Sequence, residues 1–293
     1  MIILVSRGHV WIALALAVPA AAFLVRVFMV FHDCSHGSFF RSRRANRFVG
    51  YVAGLLTLTP FEKWQQSHAE HHATVGDLDR RGEGDVWTLT VTEYLAAPRW
   101  KRLFYRVFRN PFIMFGIGPA FLFMLGNRWP SSDASRRERF SVHFTNAGIV
   151  AVLVIAYLTI GVRVFLVAQL PTLLLAATVG VWLFYVQHQY EDVYWARRPD
   201  WDPLKAALEG SSYYKLPRLL QWFTANIGLH HIHHVQPRVP FYGLVECQDT
   251  IPAFQAVPPL TFRRSLHSLR LRLVDEAGRR MVTWREVEFR EYR

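Results

Sequence analysis

Ten of the 13 histidines fall in three short clusters or at the end of a long apolar run. The clusters read His32-Asp-Cys-Ser-His36, His68-Ala-Glu-His71-His72 and His230-His231-Ile-His233-His234, and His188 stands in a Gln-His-Gln triplet. On a helix, residues three and four apart share a face. Each cluster therefore gives one converging set: His32 with His36, His68 with His71 and His72, and His230 with His233 and His234. His231 lies about 100° away from its neighbours by the 3.6-residue repeat and is set aside. Neutral imidazole is a borderline ligand that suits iron, copper, zinc and nickel. Nine of them exceed the needs of one ion and match two metals with open positions. Zinc hydrolysis would take fewer ligands and a carboxylate base, as in a His-Glu-x-x-His helix, and that motif does not occur. Iron with an open position activates dioxygen, which is what an unactivated C–H bond demands.

The elements that hold these clusters read as membrane segments. The 293 residues are 52% hydrophobic and 19% charged, against roughly 25% charged in soluble domains. Trp11 to Phe31 is apolar except for Arg26, which can snorkel to the interface. Residues 144–162 carry no charge, Arg163 interrupts, and 164–187 are again uncharged, as in a transmembrane hairpin. Two shorter apolar runs, 48–61 and 111–126, fall below the roughly 20 residues needed to cross and read as interfacial. The expected fold is thus all-α and integral to a membrane, one domain over 1–293. A cytoplasmic helical cap, 32–143 and 188–293, carries the histidines. Leu269 to Val274, a turn at 275–278, and Met281 to Trp284 predict a small exposed C-terminal β-hairpin.

Charge placement gives the orientation. The net charge is +12, from 34 Lys+Arg against 22 Asp+Glu, which taken alone would fit a nucleic-acid binder. Residues 32–143 hold 16 of the basic residues and those after 188 hold 15, leaving only Arg7, Arg26 and Arg163 elsewhere. The positive-inside rule puts both blocks in the cytoplasm, facing anionic headgroups and acidic partners, and no nucleic acid is needed. If the two short runs do not cross, parity leaves all nine histidines in that one compartment. Two cysteines, Cys34 and Cys247, exclude a disulfide scaffold, a four-cysteine zinc site and a fully cysteine-ligated iron–sulfur cluster. The acids near the clusters, Asp33, Glu70, Asp77, Asp79, Asp85, Glu191 and Asp192, are candidates to orient imidazoles through their second nitrogen.

The segments His-Asp-Cys-Ser-His-Gly-Ser at 32–38, Trp-Gln-Gln-Ser-His-Ala-Glu-His-His at 64–72 and Asn-Ile-Gly-Leu-His-His-Ile-His-His at 226–234 resemble the histidine boxes of the integral-membrane fatty acid desaturases. Gly-Asp-Leu-Asp at 76–79, Gly-Asp-Val-Trp at 84–87, Tyr-Val-Gln-His-Gln-Tyr-Glu-Asp at 185–192 and Pro-Arg-Val-Pro-Phe-Tyr at 237–242 look most similar to bacterial acyl-lipid enzymes of the omega-6, or delta-12, type. The resemblance covers nearly the whole chain. It implies a non-haem di-iron centre with two ferrous ions ligated by His32, His36, His68, His71, His72, His188, His230, His233 and His234, with no catalytic residue beyond the ligands. Asn226, one turn before His230 if that segment is helical, would reach a metal-bound water or cap a helix. Asn226, Asp33, Glu70 and Asp192 are the residues named for that outer role.

The implied reaction is O2-dependent insertion of a cis double bond into an acyl lipid or acyl thioester. The acyl chain would be lined by residues such as Phe31, Phe61, Trp64, Phe184 and Tyr185. The electrons would come from a separate ferredoxin or a cytochrome b5-like donor, and the enzyme would lie in the bacterial inner membrane with its site on the cytoplasmic face. The chain has one span before its first box where the family usually has two, so it is expected either to start within that region or to have an extracytoplasmic N-terminus. Two other readings use the same residues: a related di-iron lipid hydroxylase or carotenoid ketolase, and a membrane haem or metal-binding protein without this chemistry.

Overall fold

A computed structural model describes residues 1–82 and 84–291, with the side chains of 288–291 left aside. Helices dominate, and three are long and apolar enough to cross a membrane: Val10–His36, Arg136–Thr159 and Val162–His188. The count becomes four if the broken pair Arg99–Phe108 and Ile113–Arg128 makes one span. Pro19 and Pro171 lie inside two of these helices, as membrane helices tolerate. The chain divides into two compact units.

The first unit comprises Met1–Gln66, Gly116–Val181 and Phe223–Ala225. Its Val10–His36 helix ends where Gly37 turns left-handed at φ 68°, with its N–H closing on Cys34 O. A glycine there carries no Cβ penalty, so the helix ends at His36. The Arg43–Leu56 helix follows, capped by the Ser42 hydroxyl, which accepts from Ala45 N. It begins before the interfacial run read from the sequence and leaves Phe48, Val52 and Leu56 exposed along one face. Phe31, Cys34, Ala53 and Phe61 form the core of this unit. Phe31 meets Phe61 at 5.7 Å and Trp64 at 5.1 Å between ring centroids. Gly50 permits this, because a Cβ there would fall 2.2 Å from the Phe61 ring. These three aromatics, expected to line an acyl chain, pack on one another.

The second unit comprises Ser67–Phe115, Trp182–Trp222 and Asn226–Arg293. Strands Leu271–Asp275 and Arg280–Thr283 pair antiparallel, as the tail sequence predicts. Leu89–Thr90 adds a third, parallel strand, with Leu89 opposite Leu273. The hairpin is not exposed as expected. Leu89, Tyr94, Tyr105, Leu273, Val282 and Val287 make one buried cluster, and Leu78, Val193, Leu271, Val274 and Met281 another. Alternation of apolar and charged residues predicted one solvent face; instead Arg272 and Asp275 are buried as well, and Tyr105 OH donates to the Arg272 carbonyl. Packing on both sides overrode the local pattern.

Candidate metal centre

Three segments within the second unit place histidines together. His68, His71 and His72 lie near the end of the Phe61–Thr74 helix, and His188 ends the Val162–His188 helix. The short helix His230–Val235 brings His230, His233 and His234, all buried. Its entry loop is held by Gln187 Nε2, which donates to Ile227 O at 2.9 Å, and by Tyr214 N on Gly228 O at 2.6 Å. A Cβ on Gly228 would lie 2.2 Å from Tyr214 O, so only glycine admits that approach.

One ring nitrogen from each of His71, His188, His230 and His234 lies within 4.8 Å of the others. His71 and His188 are 3.1 Å apart, His188 and His230 2.9 Å, and His230 and His234 3.1 Å. The tautomers of two rings follow from their other nitrogens. His71 Nδ1 sits 2.6 Å from Asp85 Oδ1, and His188 Nδ1 2.9 Å from the Gly210 carbonyl. A carboxylate and a carbonyl only accept, so both Nδ1 atoms carry a hydrogen, and in the neutral rings both Nε2 atoms present lone pairs. Two lone pairs facing at 3.1 Å repel unless a cation lies between them. Burial first, then the proximity of the titratable His72, His230, His188 and His71, holds His234 well below the usual imidazole range, so it too is a neutral donor. The donor set therefore fits a metal ion.

A second group adjoins it in the same unit. His72 Nε2 is 3.1 Å from His68 Nε2 and 3.0 Å from His233 Nε2. The His72 ring stacks on that of His234 at 4.1 Å. His231 turns away, as the helical repeat requires, and its Nε2 meets Gln248 Oε1 at 3.2 Å. In the first unit, His32 and His36 share the last turn of their helix with ring centroids 4.9 Å apart. His32 Nδ1 meets Asp33 Oδ1 at 3.1 Å.

The outer acids sort differently from expectation. Asp33 contacts an imidazole, whereas the Glu70 and Asp192 side chains are exposed. Asp77 pairs with Arg198 and Arg80, Asp79 with Arg197, and Glu191 with Arg280. Asn226 precedes the short helix in a left-handed turn at φ 58°, and its amide donates to Phe241 O at 3.0 Å. Asp85 is the other acid of the seven that contacts a box imidazole, that of His71. Gly84, at φ +76°, lets its loop pass over His71, where a Cβ would stand 3.0 Å from His71 Cβ. The sequence held Gly-Asp-Val-Trp and Asp85 as one acid among seven, but no spacing rule ties it to a histidine 14 residues away. Of the remaining aromatics, Phe184 lies tilted against His71 and His188, with ring centroids 5.1 and 5.3 Å away. Tyr185 donates its hydroxyl to Ser268 O at 2.7 Å.

Asp85→Asn removes the charge that holds the His71 tautomer and is expected to lower metal affinity about 10- to 100-fold. Asp192→Asn, with no imidazole in reach, is expected to leave it unchanged. Metal content after dialysis against graded free metal measures both; equal losses, or none, would contradict the assignment.

Comparison with known proteins agrees with this geometry. The family model for "Fatty acid desaturase" matches residues 9–264. A fatty acid desaturase of Bacillus subtilis is 48% identical over 277 residues, covering 94% of this chain and 79% of that protein. The sn-1 oleoyl-lipid 12-desaturase of Synechocystis sp. is 29% identical, over 75% of this chain and 63% of its own length. The sn-1 acyl-lipid omega-3 desaturase (ferredoxin) of the same organism is 28% identical, over 77% and 63%. The chain thus spans less than two thirds of these two cyanobacterial relatives. With a family model matched over most of its length and nearly half its residues shared with a bacterial member, the chain belongs to the fatty acid desaturase family of oxidoreductases.

Proposed function

We propose that the protein is a membrane acyl-lipid desaturase of the omega-6, or delta-12, type. In the overall reaction one acyl –CH2–CH2– unit, one O2, two electrons and two protons become a cis –CH=CH– unit and two waters. The nine histidines His32, His36, His68, His71, His72, His188, His230, His233 and His234 would hold two non-haem ferrous ions. When bound, these ions supply the oxygen chemistry that removes hydrogen from adjacent methylenes. The chain's own part is preparation. Asp85 and the Gly210 carbonyl keep protons on the outer nitrogens of His71 and His188, so the inner nitrogens stay free to ligate. Burial of His71, His188, His230 and His234 keeps water from competing for the same positions.

The observation that carries the reading is the convergence of seven imidazoles from three elements, with inner lone pairs aimed at one another. The substrate is an acyl lipid or acyl thioester held bent at the reacting carbons, since positioning makes such an oxidant selective. Electrons come from a separate acidic carrier, a ferredoxin or a cytochrome b5-like protein, drawn to the Arg-rich face. One relative's name includes ferredoxin. The positive-inside rule supports an inner-membrane enzyme with a cytoplasmic site.

Expression in a host that lacks polyunsaturated lipids tests this. New diunsaturated acyl chains, located by mass spectrometry, are expected. Hydroxylated or keto products would replace the reading with a hydroxylase or ketolase, and a Soret band with one haem per chain would replace it with a haem protein.

A further inference from the structure

Arg109, the residue after the Arg99–Phe108 helix, is wholly buried and faces no carboxylate among the described residues. Burying an unpaired guanidinium is costly, and an apolar side chain of similar volume would fill the space without that penalty. What the guanidinium offers is a planar fork of donors. Nη2 donates to Gln189 Oε1 at 2.9 Å, to Leu271 O at 3.1 Å and to Tyr185 OH at 3.4 Å. Nη1 reaches Trp87 O at 3.4 Å and Thr88 Oγ1 at 3.5 Å. Gln189 Nε2 in turn donates to Thr88 Oγ1 at 3.2 Å, closing a triangle. The rings of Tyr185 and Tyr105 flank the cation, at 5.6 and 6.0 Å.

The partners are not scattered. Gln189 follows His188 directly, and Trp87 and Thr88 follow Asp85, the residue that holds His71. Leu271 lies in the buried central strand. A single cation thus fastens the segment bearing one candidate ligand and the loop bearing the orienting acid of another to the same strand. We propose that Arg109 is a positioning residue for the His71 and His188 half of the centre, acting through Gln189 and through the Trp87–Thr88 backbone. The inference rests on the metal-site reading above. A neutral side chain cannot replace the fork, because no uncharged residue presents enough coplanar donors for acceptors on three segments.

The test uses the full-length, metal-stripped protein in lipid nanodiscs, titrated with cobalt(II) alone, whose ligand-field absorption reports ligand number and geometry. Arg109→Met is expected to weaken one of the two cobalt equivalents by at least about tenfold, as loss of an orienting partner does elsewhere, and to alter the band of that equivalent. Gln189→Leu removes the Arg109–Gln189 link beside His188 together with the Gln189–Thr88 bond, leaves the other Arg109 contacts, and is expected to act in the same direction. It carries the test should Arg109→Met fail to fold. Wild-type affinity and wild-type bands in the folded variants, whatever their melting temperatures, would make Arg109 a packing residue and overturn the proposal. A wild-type chain that takes up no cobalt would overturn the metal-site reading itself, and the proposal with it.

Discussion

His234→Ala is expected to lower acyl-chain desaturation at least about 100-fold while leaving membrane insertion and expression near wild type. His234 sits at the crossing of both histidine groups: its Nε2 is 3.1 Å from that of His230, and its ring stacks on His72. Outer partners of metal ligands already cost 10- to 100-fold when removed, and a ligand whose loss leaves the remaining lone pairs unshared should cost more. The control lies three residues earlier. His231 is wholly buried on the same short helix, but it faces Gln248. His231→Ala should lower thermal stability, through a cavity and an unpaired glutamine, by about 1–3 kcal/mol and retain bound metal. Lipid profiles and metal content per chain separate the two. Equal metal loss from both variants would mean the helix had simply unfolded; full activity of His234→Ala would remove that residue from the centre.

Metal removal should have the other large effect. Prolonged chelation is expected to abolish turnover, and ferrous iron, but not zinc, should restore it. The physical ground is the arrangement of donors. His71 and His188 have their outer nitrogens committed to Asp85 and Gly210, so in the stripped protein their inner lone pairs oppose each other 3.1 Å apart with nothing to share them. A metal that binds the folded chain more tightly than the unfolded one stabilises the fold, so loading should also raise the melting temperature, and by more at higher free metal. Zinc should fill the imidazoles and restore much of that stability, because imidazole suits it too, yet it has no redox chemistry with which to reduce O2. Activity restored by zinc would exclude oxidative chemistry, and a melting temperature indifferent to any divalent metal would exclude the site.

Much of this molecule is legible without coordinates, and the reason is local geometry. Spacings of three and four residues put His32 with His36, His68 with His71 and His72, and His230 with His233 and His234, because the helical repeat is set by the backbone itself. The same repeat turned His231 away. Long uncharged runs likewise marked three helices apolar enough to cross a membrane, because hydrocarbon accepts nothing else over that length. The two turn-flanked runs near the C-terminus announced their hairpin.

Tertiary structure decided the partners. Seven acids stood near the boxes in sequence, and nothing in their spacing favoured Asp85 over Glu70, which lies within the second box yet points to solvent. Asp85 reaches His71 only because the Gly84 turn brings the loop back. The acceptor for His188 is a backbone carbonyl, Gly210, which has no residue signature at all. Arg109 looked like one more cation on a basic face and is instead buried among segments far apart in sequence. The tail strands, patterned for one wet face, were covered on both. Shared helix faces follow from periodicity, which a few consecutive residues fix; which histidines then meet, with His71 beside His188 and His230 while His72 meets His233, and the hydrogen bonds that orient them follow from where loops return, and that depends on packing across the whole unit.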